Sequence, residues 1–259
     1  MIEAAVDLKR SASPSTDRAL DLLEALSSAE DGLSLSELVR ETGLPQNSVY
    51  RIVGALHGRG YVHRRESDRR YCLSNRFFDL GRPQVEGKSL AVCSLEALRE
   101  LCEDTGETTQ LLVRSGSKGV VLEQITGRHA IKVSGRVGMT VPLYSCAPGK
   151  AILAGLPEEE FNRWLGGVEL KKFTSTTHAT SAALRAELAA TREQGYAVDL
   201  AEGLEGIHCV AAAVLDRNAY PVAAVTVMAP TFRLTEHAFT GMGNQCIAAA
   251  SRIRARLLS

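Results

Sequence analysis

The sequence predicts an α+β fold class with two domains, an N-terminal winged helix-turn-helix and a C-terminal α/β domain. Two observations carry this prediction. Residues 45–73 read as a helix with a polar outer face, followed by a hairpin tipped with arginines, and this is the layout of a DNA-reading winged helix. From residue 89 to the end, helices at both ends of a mixed array of strands are typical of an α+β domain.

Length and composition fit one or two ordinary globular domains. The chain has 259 residues, of which 45% are hydrophobic and 23% charged, as in average soluble proteins. Formal net charge is zero, so the total charge indicates no partner. The distribution is uneven, because residues 45–76 hold seven arginines and two acids, whereas residues 1–44 hold four bases and nine acids. The basic stretch coincides with the predicted reading helix and hairpin.

The six cysteines predict neither a disulfide framework nor a zinc finger. None stands in Cys-x-x-Cys spacing in this long chain, so reduced and mostly buried thiols are expected. The N-terminus lacks the apolar stretch of a signal peptide, and no apolar run is long enough to span a bilayer. We therefore expect a soluble, cytoplasmic protein with no membrane partner, no metal and no cofactor.

The N-terminal part predicts a flexible arm at 1–14 and a DNA-binding domain at 15–76. Thr16–Ser28 has the apolar spacing of one buried helix face. Ser34 and Glu37 form a capping box that begins a second helix, because each side chain satisfies one free backbone N–H.

The third helix is predicted to read DNA. A glycine-containing turn separates it from the second helix, as in helix-turn-helix motifs, and Pro45 suits a first helical position. From Val49, apolar residues recur at i, i+3, i+4 and i+7, which defines the buried face. The opposite face carries side chains that can hydrogen-bond to base edges or phosphates, namely Gln46, Asn47, Ser48, Tyr50 and Arg51.

A two-stranded wing is predicted directly after this helix. Tyr61–Arg65 and Arg69–Leu73 have strand composition, and Glu66–Asp68 forms the turn between them. Its arginines are expected to contact phosphates or an adjacent minor groove, and they are Arg64, Arg65, Arg69 and Arg70. An unrelated three-helix bundle with a polar face is the alternative, but it does not explain an arginine hairpin in this place.

A linker is predicted at 77–88 and the C-terminal domain at 89–259, because Gly81-Arg82-Pro83 interrupts a short helix that begins at Asn75. The expected helices of the C-terminal domain are Ser89–Asp104, Pro148–Gly155, Pro157–Leu165, Ser181–Gln194 and one that begins at Thr235. The expected strands are Thr109–Arg114, Gly119–Ile125, Ala130–Ser134, Tyr196–Asp199, Ile207–Leu215 and Val222–Ala229.

Several motifs, in their order and spacing, resemble the IclR family of bacterial transcription regulators over almost the whole chain. They are Arg18-Ala-Leu-Asp-Leu-Leu, Leu35-Ser-Glu-Leu, the stretch 48–62, Gly138-Met-Thr-Val-Pro-Leu, Ala147-Pro-Gly-Lys-Ala-Ile-Leu-Ala, Gly195-Tyr-Ala-Val-Asp and Gly206-Ile-His-Cys-Val-Ala-Ala. The resemblance implies a winged helix-turn-helix joined by a helical linker to a GAF-like effector-binding domain. It also implies a homodimer or dimer of dimers that binds double-stranded operator DNA as a repressor or activator, under control of a small-molecule effector.

By position, the resemblance places the effector contacts on Val133, Val141, Ala147, Pro148, Asp199, Ile207, Cys209, Thr226 and Met228. The residues make physical sense of this site. Strand periodicity puts Ile207 and Cys209 on one face, and the helix that begins near Pro148 has free N–H groups that can hold a carboxylate. A small, partly apolar cavity would suit an organic, aromatic or sugar acid. Because an anion must coexist with Asp199, that carboxyl is expected to accept from a ligand hydroxyl or to be protonated.

The same residues allow other interpretations. From periodicity alone, Cys209, Thr226 and Met228 would be plain core residues, and only the resemblance favours a binding site. Asp199, His208 and Cys209 are zinc-ligand types, but adjacent strand residues point to opposite faces, so His208 and Cys209 cannot easily share a metal. The same geometry opposes a Cys–His nucleophile. An enzyme is therefore the less favoured class, and a DNA-binding assay compared with a turnover screen on the same acids would discriminate the two.

Overall fold

The computed structural model describes residues 13–29, 31–80 and 83–259. These residues form two compact units, one ending at Leu80 and one beginning at Pro83. Most of the predicted arm, residues 1–12, lies outside the described residues. Within the described part of the chain, no helix is both long and apolar enough to cross a membrane.

The N-terminal unit is a winged helix-turn-helix, as predicted. Its elements are α1 Pro14–Ser27, α2 Leu35–Thr42, α3 Gln46–Gly58, β1 Val62–Arg64, β2 Tyr71–Leu73 and α4 Arg76–Leu80. The capping box of α2 is present, because Glu37 N–H donates to Ser34 Oγ at 3.3 Å and Ser34 N–H donates to Glu37 Oε2 at 2.8 Å. Gly43 then ends α2 at φ 66°, a left-handed conformation that favours glycine.

The core of this unit joins α1, α2 and α3 to the wing. Its buried side chains are Leu22, Leu26, Leu38, Val49, Val53, Val62 and Tyr71. Val49 and Val53 lie one turn apart on α3, and the face opposite to them is exposed. The buried face predicted for α3 is therefore confirmed.

The C-terminal unit contains a six-stranded antiparallel sheet with helices on both faces. Its elements are β3 Gln84–Val85, β4 Lys88–Ser89, α5 Leu90–Thr105, β5 Thr108–Ser115, β6 Lys118–Ile125, β7 Thr140–Pro142, α6 Ala147–Gly155, α7 Glu158–Gly166, α8 Ser181–Gln194, β8 Ala197–Leu200, β9 Ile207–Leu215, β10 Pro221–Pro230 and α9 Phe239–Leu258. The sheet order is β7-β6-β5-β10-β9-β8. This arrangement confirms the predicted α+β fold class.

The two faces of the sheet have separate cores. On β9, Val210, Ala212 and Val214 pack against α5 and α9. Their neighbours Cys209 and Ala211 belong to the other core, which includes α6, α7 and α8. Strand periodicity of two produces this division, so every second residue of β9 and β10 faces the α6 side, as predicted.

One predicted strand is wrong. Ala130–Ser134 forms no strand, and the edge strand beside β6 is β7, in which Thr140 pairs with Val120. Two backbone acceptors of the irregular segment are satisfied by side chains instead of a ladder. The carbonyl oxygen of Val133 accepts from Thr108 Oγ1 at 2.6 Å, and that of Ile131 accepts from Arg233 Nη2 at 2.7 Å. The other C-terminal strands and helices form within a few residues of their predicted bounds.

Candidate functional site

A cavity of about 280 Å³ lies in the C-terminal unit, on the α6 side of the sheet. Strands β5, β6, β9 and β10, the start of α6, segment 133–142 and the loop after β8 form its walls. It brings together eight of the nine sequence-predicted effector residues, namely Val133, Val141, Pro148, Asp199, Ile207, Cys209, Thr226 and Met228. Ala147, the ninth, does not line the cavity but is fully buried in the core at the start of α6.

Polar groups that face the cavity are few, and among its lining residues none is a lysine, arginine or histidine. Thr226 Oγ1 donates to the carbonyl oxygen of Val210 at 3.0 Å, which fixes its rotamer. Gln110 Nε2 donates to Gln124 Oε1 at 2.7 Å. Sequence reasoning missed Gln110, although its place between threonines and an apolar run marks a polar side chain in the interior.

Asp199 is the one carboxyl among the lining residues and is 6% exposed. Its Oδ1 accepts the backbone N–H of Glu202 at 2.7 Å. Burial, together with the nearby charge of Glu202, raises the pKa of Asp199 to about 7. Near neutral pH this carboxyl is therefore present in both its acid and its ionised form.

Two thiols line the cavity beside Asp199. Burial raises the pKa of Cys146 to about 12, and raises that of Cys209 well above its ordinary value. Both groups are therefore neutral thiols, which are poor nucleophiles and poor metal ligands. His208 lies away from them, since its Nδ1 is 2.7 Å from the carbonyl oxygen of Leu234 and its ring meets Phe239 edge-on. The geometry agrees with the expectation that His208 and Cys209 do not act together.

A buried ion cluster, defined by Lys150, Glu187, Glu202 and His178, lies next to Asp199. Lys150 is fully buried in α6 and donates to Glu187 Oε1 at 2.7 Å and to Glu202 Oε1. His178 Nε2 is 3.8 Å from a carboxylate oxygen of each glutamate. The two carboxylates raise the pKa of Lys150 despite its burial, so the ammonium is charged.

Sequence reasoning did not single out this cluster. The available signal was Lys150 within the apolar run of α6, where an uncompensated ammonium would be costly. Its partners come from α8 and from the loop after β8, and local patterns do not show such distant pairings.

The predicted DNA-reading residues lie on the outer face of α3. Gln46, Asn47, Tyr50 and Arg51 are exposed, and Ser48 is half-buried. Tyr50 is 66% exposed, an uncommon state for a large aromatic side chain. This surface has the side-chain chemistry needed to meet bases and phosphates.

Two wing arginines have guanidinium groups that are engaged within the N-terminal unit. Arg70 donates to the carbonyl oxygen of Gly32 at 2.8 Å and to Glu37 Oε1 at 2.9 Å. Arg65 donates to the carbonyl oxygen of Asp31. Because Glu37 belongs to the capping box, these bonds tie the wing to the start of α2.

The other two wing arginines are exposed. The Arg64 guanidinium carbon lies 5.4 Å from the centroid of the Tyr71 ring, and its Nε donates to the carbonyl oxygen of Arg69 at 3.2 Å. Arg69 occupies the wing tip at φ 60°, and its side chain faces solvent. The wing arginines therefore divide into an anchoring pair and an outward pair.

Comparisons with known proteins cover both units. The family model of the IclR helix-turn-helix domain matches residues 15–66. The family model of the C-terminal domain of the bacterial transcriptional regulator IclR matches residues 85–255. The chain is 29% identical over 241 residues to the Escherichia coli protein named transcriptional repressor IclR, covering 92% of this chain and 88% of that protein.

Solved structures show the same likeness. The IclR structure from Thermotoga maritima has a TM-score of 0.75 at 30% identity, covering 93% of this chain and 98% of that one. An IclR homologue from Microbacterium hydrocarbonoxydans, solved with 4-hydroxybenzoate, has a TM-score of 0.78 at 21% identity, covering 94% of this chain and 99% of that one. At that lower identity the likeness shows the fold alone.

Proposed function

This chain belongs to the IclR family of bacterial transcription regulators, as its motifs predict, and we propose that a small organic, aromatic or sugar acid held in the C-terminal cavity modulates its binding to operator DNA. As a family member the protein is a DNA-binding transcription regulator. The acid can act only by binding one arrangement of the DNA-binding domains more tightly than another.

The cavity is the observation that carries this proposal. Its volume of about 280 Å³ lies at the lower end of ligand pockets, which span roughly 300–1,000 Å³, and this favours a small metabolite. The apolar walls suit a ring or a short carbon chain. The start of α6 offers a carboxylate fewer N–H groups than the sequence suggests, because Pro148 has none and that of Lys150 donates to the carbonyl oxygen of Cys146 at 3.0 Å. The 4-hydroxybenzoate in the Microbacterium homologue makes that acid a suitable first probe.

For DNA, we propose that α3 enters the major groove and that the wing follows the phosphate backbone. The exposed residues of α3 would supply sequence discrimination. The sequence predicts phosphate contacts for all four wing arginines, and this stays a prediction. We favour Arg64 and Arg69 for that role, because both are exposed. We assign Arg65 and Arg70 to holding the wing in place, since their guanidinium groups bond to acceptors outside the wing.

We also propose that the protein acts as a homodimer or a dimer of dimers. Two-fold operators require paired reading helices about one helical turn apart, or a multiple of it. Leu20 of α1 is 50% exposed and Leu80 of α4 is 59% exposed, and we propose that a second copy covers these side chains. The Phe77 ring of α4 already has a partner within its own unit, because it packs against Tyr61 at 5.6 Å between ring centroids. Light scattering that gives a monomer at micromolar concentration would remove this part of the proposal.

The effector proposal is tested by thermal shift across a library of small organic, aromatic and sugar acids. A ligand that binds the folded state stabilises it by about 2.7 kcal/mol at a hundred times its Kd. Cys209→Phe fills the cavity and should abolish the shift, whereas the matched Cys209→Ala leaves the cavity open and should keep it. An acid that stabilises Cys209→Phe as strongly as the wild type would place the ligand elsewhere. The absence of any hit would reject this ligand class.

A further inference from the structure

Charge is out of balance in the buried ion cluster behind the cavity. Lys150 contributes one positive charge, whereas Glu187 and Glu202 contribute two negative charges when both are ionised. Burial raises the pKa of Glu202 above its ordinary value, and the ammonium of Lys150 opposes that rise. Glu202 is 1% exposed, and within the described part of the chain its Oε2 has no hydrogen-bond partner. His178 adds positive charge only when it is protonated. The cluster with neutral His178 therefore has one negative charge in excess before Asp199 is counted.

Asp199 joins this cluster to the cavity. Its Oδ1 is held by the backbone N–H of Glu202 at 2.7 Å, and the residue lines the cavity. Its other close neighbours, Cys146 and Cys209, are neutral thiols, so they bring no charge of either sign. The excess negative charge of the cluster and the low exposure of Asp199 both favour its neutral acid form, and its pKa of about 7 agrees with this.

A carboxylate ligand would find no cationic side chain among the residues that line the cavity. With Asp199 ionised, two carboxylates would face each other in a water-poor site, and their repulsion would oppose binding. With Asp199 protonated, its O–H can donate to the ligand carboxylate. Two carboxyl groups that share one proton are a stable arrangement at short distance.

We propose that the cavity binds its carboxylate ligand together with one proton carried by Asp199, and that Glu202 and Lys150 are positioning residues that set the pH range of this coupling. The inference rests on the proposed function, because it specifies how the effector site accepts an acid. Where Asp199 is ionised before binding, one proton is taken from solvent for each ligand bound. Where Asp199 is already protonated, none is exchanged.

The test is isothermal titration calorimetry of the full-length protein with 4-hydroxybenzoate and with its neutral analogue 4-hydroxybenzamide, over about pH 5.5 to 8, a range in which the phenol of both compounds is mostly protonated. Affinity for the acid should fall about tenfold per pH unit above the ionisation of Asp199, whereas affinity for the amide should not. Titrations in buffers of different ionisation enthalpy should show nearly one proton taken up per acid at the upper pH and nearly none at the lower.

Variants assign the coupling to residues. Asp199→Asn keeps a hydrogen-bond donor without a titrating group, so its affinity for the acid should not change with pH. Glu202→Gln removes a negative charge beside Asp199, so the loss of affinity should begin at lower pH. Glu187→Gln changes a less buried carboxylate, so the pH at which affinity begins to fall should also decrease, but by less. This variant replaces Glu202→Gln in the test if Glu202→Gln does not fold. Glu169→Gln changes a carboxylate that is 80% exposed and should leave the onset in place.

The outcomes separate this inference from the effector proposal. The proton coupling is wrong if the acid binds with an affinity that does not vary with pH. It is also wrong if Glu202→Gln and Glu187→Gln lose affinity from the same pH as the wild type. In either case the effector proposal survives. If neither 4-hydroxybenzoate nor any acid of the library binds, the effector proposal fails and this inference fails with it.

Discussion

Replacing Lys150 with methionine tests how the C-terminal unit is held together around its cavity. The Lys150 side chain is fully buried and lies between Glu202, which is 1% exposed, and Glu187, which is 23% exposed. Methionine fills a similar volume within the apolar part of α6, so the main loss is the ammonium. Removing one partner of a buried ion pair costs about 3–5 kcal/mol, because the remaining charge is buried without compensation. For a unit of this size, that loss lowers Tm by roughly 6–20 °C.

Urea unfolding followed by tryptophan fluorescence is the appropriate assay. Trp164 is the only tryptophan in the chain and is buried in the same core as α6, so its emission reports on the C-terminal unit. Lys171→Met is the matched control, since Lys171 is 62% exposed and pairs with Glu169 at 3.5 Å. That change should cost at most about 0.5 kcal/mol.

The double variant Lys150→Met/Glu202→Leu separates charge from packing. It removes the buried carboxylate together with its partner, so it should recover most of the stability lost in the single variant. A loss below about 1 kcal/mol in Lys150→Met, close to the loss in Lys171→Met, would refute the reasoning. A double variant no more stable than the single one would show that the lysine matters through its shape.

Three further predictions concern single residues. Asp199 should contribute a loss of free energy of unfolding as pH rises from 3.8, its ordinary pKa, to about 7, its raised pKa in the folded protein, because the folded state holds its proton longer. Asp199→Asn should flatten that slope by up to about 1.4 kcal/mol per pH unit in urea titrations. Arg69→Ala should reduce the salt dependence of DNA binding by about one phosphate contact. Arg70→Ala should instead lower the Tm of the N-terminal unit. If the two variants have the same salt dependence of DNA binding, the division into outward and anchoring arginines is wrong. Arg51→Ala should cost roughly 1–3 kcal/mol on the preferred DNA if it reads a guanine, and an equal loss on random DNA would limit it to positioning.

Local sequence patterns were sufficient to predict the structure where it depends on residues close together in the chain. The capping box at Ser34 and Glu37 and the apolar spacing from Val49 both depend on residues within two helical turns, and both are present in the structure. The alternation on β9 placed Cys209 on the cavity side for the same reason. The assembly of eight residues from distant segments around one cavity came from the family resemblance, since periodicity alone could not separate a cavity wall from a filled core.

Prediction failed where distant side chains decide the outcome. Segment 130–134 has strand-like composition but no strand, because Thr108 and Arg233 bind its carbonyl oxygens. The wing arginines look equivalent in sequence, yet the partners of Arg70 lie more than thirty residues away along the chain. The buried charge of Lys150 is likewise neutralised by Glu187 and Glu202, which only the fold brings next to it. Each case is a contact between segments that no local spacing encodes.

Coupling between the cavity and DNA is the central claim, and one measurement tests it directly. A duplex that the protein selects from a random pool is titrated by fluorescence anisotropy, with and without a saturating acid identified by thermal shift. The wild type should change its DNA Kd by about 5- to 150-fold, the usual range of allosteric coupling. Cys209→Phe should bind the same duplex as tightly as the ligand-free wild type and should not respond to the acid. An unchanged Kd in the wild type, or an equal response in Cys209→Phe, would contradict the account.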